Sequence, residues 1–226
     1  MKIKLLSSIL VLFLFVLSCK KDSTSVDFHE DYFPLEKGKF VEYNATYIFH
    51  DHVAGIHETT NFILKTVVGD TTIDNSGRIA WKFERYVFDH VFQIYEFKDL
   101  WTAIIDQSRA ELVEENQRII KLVFAPTLEK EWDINAFNSE DELLAYYENI
   151  HKPTKINGLN FDSTITVVQE KIDPNLVEYR RKIEIYAKNV GLIHKYYKDL
   201  TIKNFDTLQP QKGTELYYNI INYGTQ

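Results

Sequence analysis

Val41, Tyr43, Ala45, Tyr47 and Phe49 alternate with Glu42, Asn44 and Thr46. A period of two places one set of side chains on each face of an extended strand, a pattern that no helix can bury. The same style runs down the chain. Thr59 to Val68 is rich in β-branched and aromatic residues, and Ile79, Trp81 and Phe83 alternate with Lys82 and Glu84. Val91 to Phe97, Trp101 to Ile105, Leu112-Val113 and Ile119 to Phe124 read as further strands, followed by Ser163 to Gln169, Val177 to Ala187, Leu192 to Tyr197 and Leu216 to Ile221. Turn chemistry separates them: Asp74-Asn75-Ser76-Gly77, Glu114-Glu115-Asn116-Gln117, Asp173-Pro174-Asn175, Asn189-Val190-Gly191 and Gln211-Lys212-Gly213.

One stretch breaks the style. Ser139-x-x-Glu142 before Leu143, Leu144 and Tyr147 is a capping-box pattern and predicts a short helix, although Leu144, Tyr146, Glu148 and Ile150 also fit a strand; Pro153 ends either. The expected fold is mainly β: an antiparallel meander forming a curved sheet, half-barrel or barrel with one or two short helices. A two-layer sandwich is the other way to bury such faces and manage their edges.

The first residues follow different rules. Lys2 and Lys4 precede an apolar run from Leu5 to Leu17, too short for the roughly 20 residues that span a bilayer. Residues 1–18 therefore read as a signal peptide. Val16-Leu17-Ser18-Cys19 resembles a bacterial lipobox, and the Leu-Ser-Cys-Lys-Lys-Asp run resembles Bacteroidota-type lipoproteins. The resemblance implies cleavage between Ser18 and Cys19, a lipid on Cys19, and a protein anchored in the outer membrane, facing either the periplasm or the exterior. Several acyl chains give durable attachment where one does not. Residues 19–30 read as a lipidated N-terminus and flexible tether, Lys20 to Asp27 alone reaching roughly 25–30 Å at 3.3–3.6 Å per residue. Residues 31–226 read as one β-rich domain. The resemblance extends to its opening at Tyr32-Phe33-Pro34-Leu35 and its close at Tyr223-Gly224, with no activity attached.

Charge and cysteine content narrow the partners. Removing Lys2 and Lys4 with the signal takes the net charge from −7 to −9, which disfavours nucleic acid and anionic lipid surfaces. Cys19 is the only cysteine, so no disulfide can form within the chain and core burial must hold the fold. The expected partner is the membrane, through the lipid on Cys19.

No Gly-x-Ser-x-Gly, phosphate loop or dinucleotide fingerprint is present. His29-Glu30 and His57-Glu58 begin like zinc-protease motifs, but Phe33 and Asn61 stand where the second histidine belongs. His50, His52 and His57 form the best metal-like cluster; the plainer reading is an exposed strand end and hairpin loop, and no metal or other cofactor is expected. Glu111, Glu114, Glu115, Glu129, Glu131 and Asp133 read as a solvated face rather than a glycosidase pair. With 15 Phe, 14 Tyr and 3 Trp the chain is aromatic-rich, which suits β cores and also a ligand face, for which Trp81, Trp101 and Trp132 are the first candidates. The functional expectation is a non-catalytic envelope binding or interaction module. The alternatives are a half-barrel carrier of lipid or small molecules, and a hydrolase of envelope polysaccharide.

Overall fold

A computed structural model describes residues 27–226. The expected signal peptide, Ser18, Cys19 and the expected tether as far as residue 26 lie outside the described residues. Twelve strands follow one another: β1 (Lys39–Asp51), β2 (Ile56–Ile73), β3 (Ile79–Asp89), β4 (Ile94–Asp106), β5 (Arg109–Glu114) and β6 (Gln117–Val123). Then come β7 (Glu131–Asp133), β8 (Leu144–Ile156), β9 (Leu159–Ile172), β10 (Glu178–Ala187), β11 (Gly191–Thr201) and β12 (Lys212–Thr225). Four of the five expected turns fall where the polar clusters stand; of Gln211-Lys212-Gly213 only Gln211 lies in a loop, Lys212 and Gly213 opening β12 with partners on β1 and β11. Asp74 organises the β2–β3 turn by accepting the backbone N–H groups of Ser76 and Arg78, each at 2.8 Å.

All twelve strands join one antiparallel sheet in the order β6-β5-β4-β3-β2-β1-β12-β11-β10-β9-β8-β7. Two six-stranded meanders are thus joined where the first strand pairs with the last, from Lys39↔Thr225 to Asp51↔Lys212. The free edges, β6 and β7, come round to meet each other. Ile120 N–H donates to Ile134 O at 3.0 Å and the Trp132 indole N–H to Ile120 O at 3.1 Å. Across the same seam the Tyr147 hydroxyl donates to Val123 O and accepts from Val123 N–H, at 2.9 and 3.0 Å. A side chain here supplies the ladder partners that a thirteenth strand would have given, and the sheet is almost closed into a barrel.

The short helix is corrected. Residues 139–143 form a loop, and β8 begins at Leu144. Ala145 and Tyr147 are buried on one face of β8, and the pairing with β7 and β9 satisfies the backbone that a helix would have satisfied internally. Nor does Pro153 end the element. The register skips it, as it skips Glu148 and His151, so Pro153 sits in a bulge where its missing N–H costs no ladder bond. Among the described residues the helical element is a single 3-10 turn, Glu30–Tyr32.

That turn begins one residue before the expected domain start. Tyr32 is fully buried, with its hydroxyl 2.6 Å from Ser163 Oγ and 2.7 Å from His151 Nδ1. Phe33 stacks on Phe83 and tilts against Tyr186, at 5.9 and 6.4 Å between ring centres. The N-terminal segment therefore acts as a plug. Two apolar clusters fill the sheet's interior, one around Phe33, Leu112, Trp132, Tyr147 and Tyr186, the other around Val41, Tyr43, Leu64, Tyr218 and Ile220.

Candidate functional site

A cavity of about 80 Å³ lies where the two clusters meet, and both line it. Its walls are mostly apolar: Phe40, Val41, Leu64, Val68, Phe83 and Leu112 among them, with Trp101 beside Arg85. At roughly 10–15 Å³ for each water, that volume accepts about five to eight waters or a ligand of a few heavy atoms.

The floor is charged. Glu184, with no exposure at all, receives Lys121 Nζ at 2.8 Å, the Tyr186 hydroxyl at 2.6 Å and the Tyr197 hydroxyl at 2.8 Å, with Lys195 Nζ at 3.4 Å. Lys121 also reaches Glu114 at 3.3 Å. Burial pushes the Glu184 carboxyl up, but the ammonium charges of Lys121 and Lys195 and its hydrogen bonds prevail and hold it down at about 2. Glu114 is lowered on the same terms, with burial opposing the two lysines. Lys121 is the reverse case: burial pulls it down and the two carboxylates lift it above the ordinary lysine value. Burial, and then the Glu184 charge, raises the phenols of Tyr186 and Tyr197.

Two of these polar groups reach the interior by breaking the strand period. The β5–β6 register passes from Ala110↔Leu122 to Glu111↔Ile120, leaving Lys121 as the extra residue of a bulge. The β9–β10 register passes from Lys182↔Glu170 to Ile183↔Val168, leaving Gln169 likewise. Gln169 Oε1 lies 2.7 Å from the Tyr197 hydroxyl and shares its single proton with Glu184, while the buried Gln169 Nε2 has no partner among the described residues.

The carboxylates expected on a solvated face divide. Glu111 is buried and Glu114 is half-buried against Lys121, which corrects that reading for these two. Glu111 is held by Arg109 at 2.8 Å and Arg78 at 3.2 Å, with Arg118 at 3.9 Å. Three guanidiniums repay its desolvation, and Glu114 is repaid by Lys121. Of the three tryptophans only Trp101 lines the cavity. Trp132 is buried at the β6–β7 seam and Trp81 is half-buried on β3, so they do not form one face.

The histidines gather elsewhere. His50 and His57 are cross-strand partners on the β1–β2 hairpin, with Nδ1 atoms 2.9 Å apart, and His50 Nε2 lies 2.9 Å from Glu215 Oε1. His50 is buried, not exposed as expected, because Glu215 on the neighbouring β12 offers its imidazole a partner. Glu215 in turn bonds Lys198 at 2.8 Å and Tyr217. His52, on the hairpin turn, completes an open cleft with Leu208, Gln209 and Pro210. Among the described residues no three His, Cys, Asp or Glu side chains are placed to hold a metal. The cleft is the wider opening, about 330 Å³, but loop tips form it and both ring nitrogens of His50 are engaged. The barrel cavity, walled by nine strands and floored by a fully paired carboxylate, is the better candidate.

No protein-family model matches this chain, and no curated protein matches it. Among solved structures it is similar to a crystal structure of a candidate lipoprotein from Parabacteroides distasonis ATCC 8503, with 11% identity and a TM-score of 0.35, covering 85% of this chain and 98% of that one. A likeness of that degree adds nothing to the chemistry of the cavity. Among the described residues, no helix is long and apolar enough to cross a membrane.

Proposed function

We propose that this chain is a lipid-anchored protein of the cell envelope that binds a small ligand without chemically changing it. Cys19 carries the anchor and the barrel cavity is the ligand seat. The observation that carries the reading is the cavity itself, an apolar-walled space between two otherwise close-packed clusters, built on rigid strands. Its size favours a small molecule over an acyl chain, which would need it to grow several-fold. The electrostatics favour binding over hydrolysis: a glycosidase acid needs a raised carboxyl pKa, and Glu184 and Glu114 are both held down.

The Trp101 indole N–H is a built-in reporter, since the ring lines the cavity. Titrating ¹⁵N-labelled protein with benzene should displace the Trp101 signal while leaving Trp81 unmoved, and filling the cavity by Leu112→Trp should abolish the response. An unmoved Trp101 signal at saturating benzene would overturn the assignment of the seat.

A further inference from the structure

The geometry points to a small monoanion with an apolar body, a short-chain carboxylate in chemical class, as the ligand of the cavity. This rests on the cavity being the seat and goes on to name what it recognises.

The argument begins with Lys195. Lys195 belongs to the cavity lining, and among the described residues its Nζ makes an ion pair with Glu184 but no hydrogen bond. Its ion pair is the longer of the two lysine contacts with Glu184, 3.4 Å against 2.8 Å for Lys121. The rings of Tyr197 and Tyr218, at 4.5 and 5.5 Å, cover other sides of the ammonium and offer it no acceptor lone pair in line. An ammonium carries three N–H donors, and leaving them unused at a buried position is costly. The side that remains open is the cavity.

Arg85 stands across Tyr218 from it. The guanidinium lies over the Trp101 ring at 3.6 Å and reaches the Tyr218 hydroxyl at 3.4 Å. Its carboxylate partner, Asp99, is at 3.3 Å and is shared with Lys98. Charge can then be counted through the connected groups. Arg85, Lys121 and Lys195 face Asp99, Glu114 and Glu184, so these charges balance, and the exposed Lys98 shares Asp99 from outside the cavity; what is left over is the set of N–H donors on Lys195. A single carboxylate beside Lys195 would take up those donors with charge-assisted hydrogen bonds, with Arg85 as the second cation lining the cavity. Its hydrocarbon part would rest on Leu64, Val68, Phe83 and Leu112, and the volume limits that part to a few carbons.

The test compares butyrate with butanamide, which has the same heavy-atom skeleton and no charge, on the full mature chain by calorimetry and by the Trp101 indole signal. The inference expects butyrate to bind at least tenfold more tightly. It also expects Lys195→Met, which keeps the apolar stem, to weaken butyrate at least tenfold while leaving butanamide within twofold. Equal affinity of the two ligands for the unaltered protein would overturn the inference and leave the cavity a neutral seat. Failure of either ligand, and of benzene, to move Trp101 would overturn the seat and the inference together. The comparison on the unaltered protein needs no variant, so it holds even if Lys195→Met does not fold.

Discussion

Replacing Glu184 by Gln tests whether the charged floor holds the barrel together. Gln keeps the shape and removes the charge, leaving Lys121 and Lys195 buried with Glu114 as the remaining carboxylate near them. Breaking a buried ion pair from one side costs about 3–5 kcal/mol. With a urea m-value of about 2 kcal/mol/M, the unfolding midpoint should fall by roughly 1.5–2.5 M, and the melting temperature by roughly 10 °C. The same quantity can be reached through pH. Glu184 is held at about 2 against an ordinary 4.5, and each unit corresponds to about 1.4 kcal/mol, so the network contributes about 3 kcal/mol through this group. Because the folded value is depressed, that stability is present above pH 4.5 and is lost as pH falls from there towards 2. Urea titrations of the unaltered protein and the variant at pH 7 and pH 3 should therefore differ most at pH 7 and converge at low pH. A double-mutant cycle with Lys121→Met should show strong coupling, the pair costing about as much as either change alone. A midpoint loss below about 0.5 M, or additive costs, would refute the reasoning.

Other consequences are separately measurable. Tyr147→Phe removes the hydroxyl that serves both backbone groups of Val123, so stability should drop by about 1–3 kcal/mol and Val123 amide exchange should accelerate; unchanged exchange would mean the seam closes without it. At Gly213 the backbone has φ +133°, and an added Cβ would overlap the Asp199 carbonyl oxygen, so Gly213→Ala should destabilise by more than about 1 kcal/mol in a thermal melt. Cys19→Ser should abolish incorporation of a labelled fatty acid and shift the protein from the membrane to the soluble fraction; continued labelling would place the lipid elsewhere.

The strands were legible because their physics is local. Val41 to Phe49 and Ile79 to Phe83 carry the period of two that a half-buried sheet requires, and Asp74-Asn75-Ser76-Gly77 carries a turn's chemistry. The 139–147 stretch misled because a capping box is also just a run of loop polars, and the cross-strand burial of Ala145 and Tyr147 outweighed it. The site was hidden for a related reason. Lys121 and Gln169 sit inside through bulges, which shift a residue to the other face without any mark in the alternation. Glu111 and Glu114 resembled surface acids because their partners, Arg78 and Lys121, are distant in sequence or out of period. Trp101 was among the candidates from its type alone; nothing local separated it from Trp81 and Trp132.

The most direct test of the ligand seat is a crystal of residues 27–226 held under xenon pressure. Xenon enters apolar spaces that water-filled polar clefts do not offer. The account expects one strong xenon peak in contact with Leu64, Phe83 and Leu112 inside the barrel. A barrel interior without xenon, or a peak only in the outer cleft beside His57 and Leu208, would contradict it.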